Sequence, residues 1–319
     1  MCESHRVNVA IIGLGLIGGS LLRALTAHGH PVVGYDVDPA TRSAAAAEFV
    51  IAETIPALLQ KAEIVILAVP LPALSPVRAQ LAGFDGLLTD VTSVKGPVLD
   101  LFGDRRYVGG HPMAGKESSS FAASDPALFT GCAWVLCLEP GITDLTDWAT
   151  LAGLYTSIGA RIVPATAADH DQAVARISHV PHLLAAALAT LLEGNPLAGT
   201  LAAGSFRDGT RVAATRAELI AAMCGGNAVA VQSVLSSATS SLAAFGNALG
   251  ADDPVAALTP LLRRAGELRR GWPAAPGVPV EVELAIDPLL ALGRAGGWIT
   301  RVTDRSAFGL RPESDRNPA

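Results

Sequence analysis

The chain has 319 residues and a mass of 32.6 kDa, enough for about two domains with cores of their own. Half of it is apolar, 16% is charged and the net charge is −6. This excludes a disordered chain and leaves no electrostatic footprint for nucleic acid or an anionic membrane surface.

The N-terminus, Met1–Arg6, lacks the charged region of a secretory leader, and the apolar stretch after it is broken by Gly13, Gly15, Gly18 and Gly19. No apolar run is read as reaching the ~18 residues of a membrane helix, Leu183–Leu192 being too short, so a cytoplasmic protein is expected. Cys2, Cys132, Cys137 and Cys224 form no Cys-x-x-Cys pair and read as small buried hydrophobes.

Runs of Val, Ile and Leu predict strands at Val7–Ile12, Pro31–Asp36, Glu63–Val69, Gly86–Val91 and Tyr107–Gly109. Helical patterns alternate with them at Leu16–His28, Pro39–Phe49, Ile55–Lys61 and Leu74–Leu81. This rhythm predicts an α/β fold, an N-terminal Rossmann doubly wound parallel sheet. A further strand at Ala133–Leu138, a helix at Thr143–Ile158 and a last strand at Arg161–Val163 complete a first domain over 1–165.

From 166 to 270 the pattern is helical: Asp169–Leu192, a break at Gly194-Asn-Pro196, Thr215–Ala248 interrupted by Gly225-Gly226, and Pro254–Arg270. Ala- and Leu-rich helices of this length cannot bury their own faces, so an all-helical dimerisation domain and a homodimer are expected. Residues 271–319 read as a Pro- and Gly-rich tail with one strand-like piece, Val278–Ile286, and a charged disordered end, Arg311–Ala319.

The segment Val7–Ser20 reads strand, Gly-x-Gly-x-x-Gly, helix. Gly13 permits the tight turn, Gly15 lets backbone approach a pyrophosphate and Gly18 lets the helix pack on the strand. The amides at Leu16 and Ile17 then face the phosphates. Asp36, at the end of the second strand, suits the ribose hydroxyls and repels a 2′-phosphate, so NAD is the expected cofactor. Arg42, six positions on and inside the next helix, is not expected to compensate. Val69 and Pro70 end a later strand near the expected nucleotide.

Three further segments carry chemistry: Asp90–Gly96 with Ser93 and Lys95, Gly109–Glu117 with the run Gly-His-Pro-Met-Ala-Gly, and Ile177–His182 with Ser-His-Val-Pro-His, followed by Arg207–Arg211. The first two fall at the carboxyl ends of strands, where open α/β sheets bind ligands. A loop histidine such as His111 can accept a hydroxyl proton near neutral pH, and an arginine fork can pair with a carboxylate. Ser93 can bond the same hydroxyl, orient His111 or cap the following helix. His179 and His182 have no evident third ligand, so no metal is expected. Asp169-His-Asp171 reads as a helix start rather than a site.

At these residues the sequence resembles the prephenate/arogenate dehydrogenases of tyrosine biosynthesis, from about Val7 to Arg270. The resemblance implies an NAD-binding domain followed by a helical dimerisation domain, and oxidative decarboxylation of prephenate to 4-hydroxyphenylpyruvate. It implies His111 as the base with Ser93 beside it, and Arg211 and His182 in the substrate pocket. Glu117, Lys116 and Gly204 are further pocket candidates. Lys116 and Ile220 depart from residues common in the family, which leaves prephenate, arogenate and a substituted prephenate open. The tail is too short for a ~70-residue regulatory ACT domain, so weak allosteric inhibition at most is expected. Other hydroxyacid or imino-acid reductases lack the His111 loop. A non-catalytic dinucleotide sensor is the alternative of another class.

Overall fold

The structure, a computed structural model, describes residues 6–116, 120–273 and 277–313. The chain divides into two units: residues up to Asp171 together with Pro279–Arg311, and the helical stretch Gln172–Val278.

In the first unit, apolar side chains alternate between the faces of a parallel sheet. The strands are β1 (Val9–Ile12), β2 (Val32–Tyr35), β3 (Ile64–Leu67), β4 (Leu87–Asp90) and β5 (Tyr107–Val108), in the order β2-β1-β3-β4-β5. Val9, Ile11, Ile64 and Ile66 join one core with Leu21, Leu22 and Leu25 of α1 (Leu16–Ala27). Ala10, Ile12, Val65 and Leu67 face a second core on the opposite side. That side holds α3 (Ile55–Leu59), α4 (Leu74–Gln80) and α5 (Gly96–Phe102), while α2 (Pro39–Ala46) follows β2 and is capped by Asp38. Burial on both faces is what continuous apolar strands require, so the predicted Rossmann sheet is present.

A second sheet departs from the sequence expectation. It comprises β6 (Gly110–Pro112), β7 (Ala133–Cys137) and β8 (Arg161–Ala165), with α6 (Leu145–Ser157) between the last two. The remaining strands come from the C-terminal region: β9 (Val278–Glu283), β10 (Trp298–Val302) and β11 (Ser306–Arg311), with α14 (Ile286–Arg294) after β9. The order is β6-β7-β8-β10-β11-β9, with β10 antiparallel to β8 at Ile299 and Ile162. The expected 271–319 tail is therefore corrected: Pro279–Arg311 folds into the first unit. Its short apolar alternation was hidden among prolines and glycines. Leu289, Leu290 and Ile299 are buried in the α6 core. Arg311 closes β11, and residues 314–319, like Cys2 in 1–5, lie outside the described residues.

The predicted long first helix, whose first residues belong to the first unit and whose remainder opens the second, is α7 (Ala167–Val174), a π-helical turn at Ala175–His179 and α8 (Val180–Ala189). Pro181 has no N–H to give Ile177, and the wide turn lies just before it. Next come α9 (Pro196–Leu201), α10 (Gly204–Thr210), α11 (Ala217–Gly226), α12 (Ala228–Leu249) and α13 (Pro254–Arg270). The core of this unit is small, built on Ala175, Val180, Ala230 and Val231. Ala167–Leu192 and Ala228–Leu249 are long and apolar enough to cross a membrane, which corrects the reading that no run is. Only 11% of the α12 window is buried.

Close packing of α14 on β8 gives a test. A Cβ at Gly293 would lie 1.8 Å from the Pro164 carbonyl oxygen, whereas one at Gly153 in α6 meets nothing within 4 Å. Gly293→Ala is expected to destabilise by about 1–3 kcal/mol in urea unfolding. Gly153→Ala is expected to stabilise by about 0.5–1 kcal/mol, since only helix propensity changes. Equal shifts in the two variants would contradict the packing of α14.

Candidate active site

The glycine-rich turn is built as its spacing demands. Gly13 has φ +95°, and a Cβ there would sit 2.4 Å from the Ala68 carbonyl oxygen and 2.9 Å from Val69 Cγ1. Val69 and Pro70, at the end of β3, thus close over the turn. A Cβ on Gly18 would lie 1.8 Å from the Gly13 oxygen, so α1 packs backbone against backbone. Gly15 is the N-cap of α1 and supplies no side-chain cap, which leaves the Leu16 and Ile17 end of the helix suited to a phosphate. Asp36 reaches back across the turn: one carboxylate oxygen accepts from Leu14 N at 2.7 Å and the other from Asp38 N at 2.9 Å. Arg42 is closer than its sequence position suggests. Its guanidinium donates to the Asp36 carbonyl at 2.8 Å and lies 3.6 Å from Glu53. The groove keeps its acidic side chain, and the donor set fits a dinucleotide with free ribose hydroxyls.

Below the end of β4 lies a buried polar network. Lys95 is 1% exposed and Asp90 is fully buried. The Lys95 ammonium donates to Asp90, to the Gly110 carbonyl at 2.6 Å and to Thr92 Oγ1 at 3.2 Å. Asp90 also accepts from Tyr107 OH at 2.5 Å and Thr92 N at 2.7 Å. Burial pushes the Tyr107 hydroxyl well above its ordinary value, so it stays a neutral donor. Every proton of the ammonium is thereby satisfied, and the backbone just before His111 is pinned.

His111 stands on β6, opposite Val135 of β7. Its Nδ1 is 2.8 Å from His170 Nε2, and His170 Nδ1 is 2.8 Å from Asp171 Oδ1. Asp171 also accepts from Lys95 N and Gly96 N, each at 2.8 Å, capping α5 from 75 residues away. Burial lowers the His170 pKa, against the opposing pull of Asp171. For Asp171 burial acts upward, yet bonds from His170, Gly96 and Lys95 outweigh it and hold the carboxyl below the usual range. Asp169-His-Asp171 is thus corrected: it does fall in the first helical turns of α7, but His170 and Asp171 point into the site. Their signal was an adjacent His-Asp pair, which sequence alone could not place beside His111. Ser93 lies in the same loop as Asp90 and Lys95 and is not the helix cap, a role taken by Asp171.

Residues 21–164 match the family profile for the prephenate dehydrogenase nucleotide-binding domain, and 166–255 that for the prephenate dehydrogenase dimerization domain. The chain is 31% identical to Synechocystis arogenate dehydrogenase, with a TM-score of 0.73 over 83% of this chain and 99% of that one. The chain belongs to the prephenate dehydrogenase family. It is 34% identical over 224 residues to the prephenate dehydrogenase of Lactococcus lactis, a match covering 64% of this chain and 60% of that protein. It therefore spans under two thirds of that relative's length. A crystal structure of Aquifex aeolicus prephenate dehydrogenase with hydroxyphenyl propionate and NAD+ is 25% identical, with a TM-score of 0.75 over 85% of this chain and 98% of that one.

The other residues expected from the family pattern fall as follows. Lys116 pairs with Asp125 at 2.8 Å, so its charge has a partner on its own loop. Glu117 lies outside the described residues. His182, Gly204 and Arg211 belong to the helical unit. His182 Nδ1 bonds the Ser178 carbonyl at 2.9 Å, Gly204 opens α10, and the turn starting at Arg211 packs against α8. His179 is buried beside Asn227 at 3.2 Å. Among the described residues no group of three His, Cys, Asp or Glu is placed to hold a metal ion. Of the cysteines, Cys137 is buried while Cys132 and Cys224 are only partly so; burial pushes Cys132 up to about 11.

The buried pair in this family member can be tested directly. Lys95→Met leaves a buried carboxylate without its cation and is expected to lower unfolding stability by about 3–5 kcal/mol. Adding Asp90→Asn removes that charge while keeping an acceptor for Tyr107, and is expected to restore part of the loss. A Lys95→Met protein as stable in urea as the wild type would refute the pairing.

Proposed function

We propose that the chain is an NAD-dependent prephenate dehydrogenase that converts prephenate to 4-hydroxyphenylpyruvate, CO₂ and NADH. The observation carrying this reading is His111 on β6, backed by His170 and Asp171 in the unit that holds the dinucleotide turn. Gly13, Gly15, Gly18, Val69, Pro70 and Asp36 would hold the cofactor, which supplies the hydride acceptor when bound.

The chain's own work is acid–base chemistry and positioning. His111 accepts the hydroxyl proton of the ring carbinol as the carbon loses its hydride. Ser93 hydrogen-bonds that hydroxyl or orients His111. Arg211 is the candidate partner of a substrate carboxylate, with His182 and Gly204 as further candidates in the same helical unit. The bond to the ring carboxylate then breaks, its electron pair enters the ring, and CO₂ leaves as the ring becomes aromatic. Aromatisation supplies the driving force, so orientation and a poised base suffice. Arogenate is the second reading, favoured by the likeness to the Synechocystis enzyme; it differs from prephenate away from the reacting carbon.

The test is NADH formation with prephenate and arogenate side by side. Prephenate turnover with NAD+ preferred over NADP+ is expected. His111→Asn is expected to cut kcat by about 10²–10⁴-fold with little change in KM. Arg211→Ala is expected to raise KM by about 10–150-fold. Turnover of arogenate alone would select the second reading, and turnover of neither would end both.

We also infer a soluble, cytoplasmic homodimer joined through the helical unit. Leu188, Leu197, Leu201, Leu242 and Leu262 are exposed there, an apolar surface that a second copy can cover. Lipid is a poor alternative for Ala167–Leu192, which carries Asp169, Asp171 and Arg176. Light scattering at micromolar concentration is expected to give twice the chain mass, and a monomer or a membrane-bound fraction would contradict this.

A further inference from the structure

We propose that His170 and Asp171 are positioning residues that fix the tautomer of His111, holding its proton on Nδ1 and its lone pair on Nε2. The inference rests on the proposed base role of His111 only for its effect on rate; the tautomer follows from the bonds themselves.

The order of donors is set from one end. Asp171 already accepts two backbone N–H groups at the start of α5, which holds it as a carboxylate. A carboxylate can only accept, so the 2.8 Å contact makes His170 Nδ1 the donor. His170 is buried at 2% exposure and neutral, so its Nε2 carries a lone pair. The 2.8 Å contact at that atom then requires His111 Nδ1 to be the donor. A neutral His111 so held accepts its next proton at Nε2. The two rings meet edge to face, with centroids 5.1 Å apart and planes at 74°, which fixes the rotation of His111 as well as its protonation.

Among the described residues, the other titratable groups around the pair are matched or neutral. Asp90 and Lys95, from β4 and the start of α5, are paired with each other. Tyr107 from β5 and Cys137 from β7 are held neutral by burial. Glu139, beyond β7, accepts from Ala167 N and is raised by burial. On α7 itself, Asp169 is bound to Arg294 at 3.0 Å. When His111 becomes an imidazolium, its Nδ1–H still points at the His170 lone pair, with the Asp171 charge one ring behind. The pair therefore favours the protonated base as well as orienting the neutral one.

The test compares His170→Gln, which can place an amide oxygen where Nε2 stood, with His170→Leu, which cannot. Nitrogen-15 NMR of the imidazole rings is expected to show His111 protonated at Nδ1 in the wild type and in His170→Gln. In His170→Leu the Nε2–H form is expected to become populated. With prephenate and NAD+, His170→Leu is expected to lose about 10–100-fold in kcat with KM little changed, the size of loss expected when the group that orients a functional histidine is removed. The acid limb of its rate profile is expected to move to lower pH, since the imidazolium loses its acceptor. His170→Gln should recover most of both. A wild-type His111 protonated at Nε2 would overturn the proposal whatever the substrate proves to be. So would a folded His170→Leu with unchanged kcat and acid limb, or equal loss in both variants. A wild type inactive on both substrates would instead remove the functional reading and leave the NMR result to decide this one.

Discussion

The ammonium of Lys95 has almost no access to water, and the site is organised around satisfying it. An unpaired buried cation is too costly to persist, so acceptors must converge on it from separate pieces of chain. Asp90 comes from the end of β4 and the Gly110 carbonyl from the start of β6. The result ties two strands of different sheets at the point where the chain passes from one to the other. His111 is the next residue along. A side chain on a loose loop would sample many orientations, whereas this one follows a backbone held by a charge-assisted bond.

Asp171 extends the same logic. Its carboxylate substitutes for the missing side-chain cap of α5 and at the same time anchors His170. Two needs that are normally met locally, satisfying a helix N-terminus and orienting a histidine, are met by one residue from a distant helix. The cost is that neither can be altered alone. Any change at Asp171 disturbs the end of α5 and the ring of His170 together, which is why His170 is the more informative position to vary.

Much of this was legible in the sequence, and the part that was not has a physical cause. The parallel sheet announced itself because buried strands must be apolar on both faces, and Gly13, Gly18 and Asp36 because a dinucleotide turn restricts its residues so tightly. The three segments that carry Ser93, His111 and His182 were visible as motifs. His170 and Asp171 were passed over because an acidic pair at a helix start satisfies the dipole equally well, and nothing local distinguishes a solvated pair from a buried one. At the C-terminus only β9 was legible, as a strand-like piece. β10, which joins β9 and β11 to the rest of their sheet, pairs with β8 more than a hundred residues upstream, so no short window of sequence contains the pairing that ties these strands to the first unit.

That long-range pairing bears on how the protein is made. β7 and β8 leave the ribosome with one edge of their sheet open, and the strand that covers β8 follows only after the whole helical unit has been synthesised. At about 5–20 residues per second, that is an interval of several seconds or more in which an apolar strand edge has no partner from its own chain. Such edges are templates for mispairing with other chains. During that window the edge of β8 is exposed to mispairing in a way that the edge of a contiguous domain would not be.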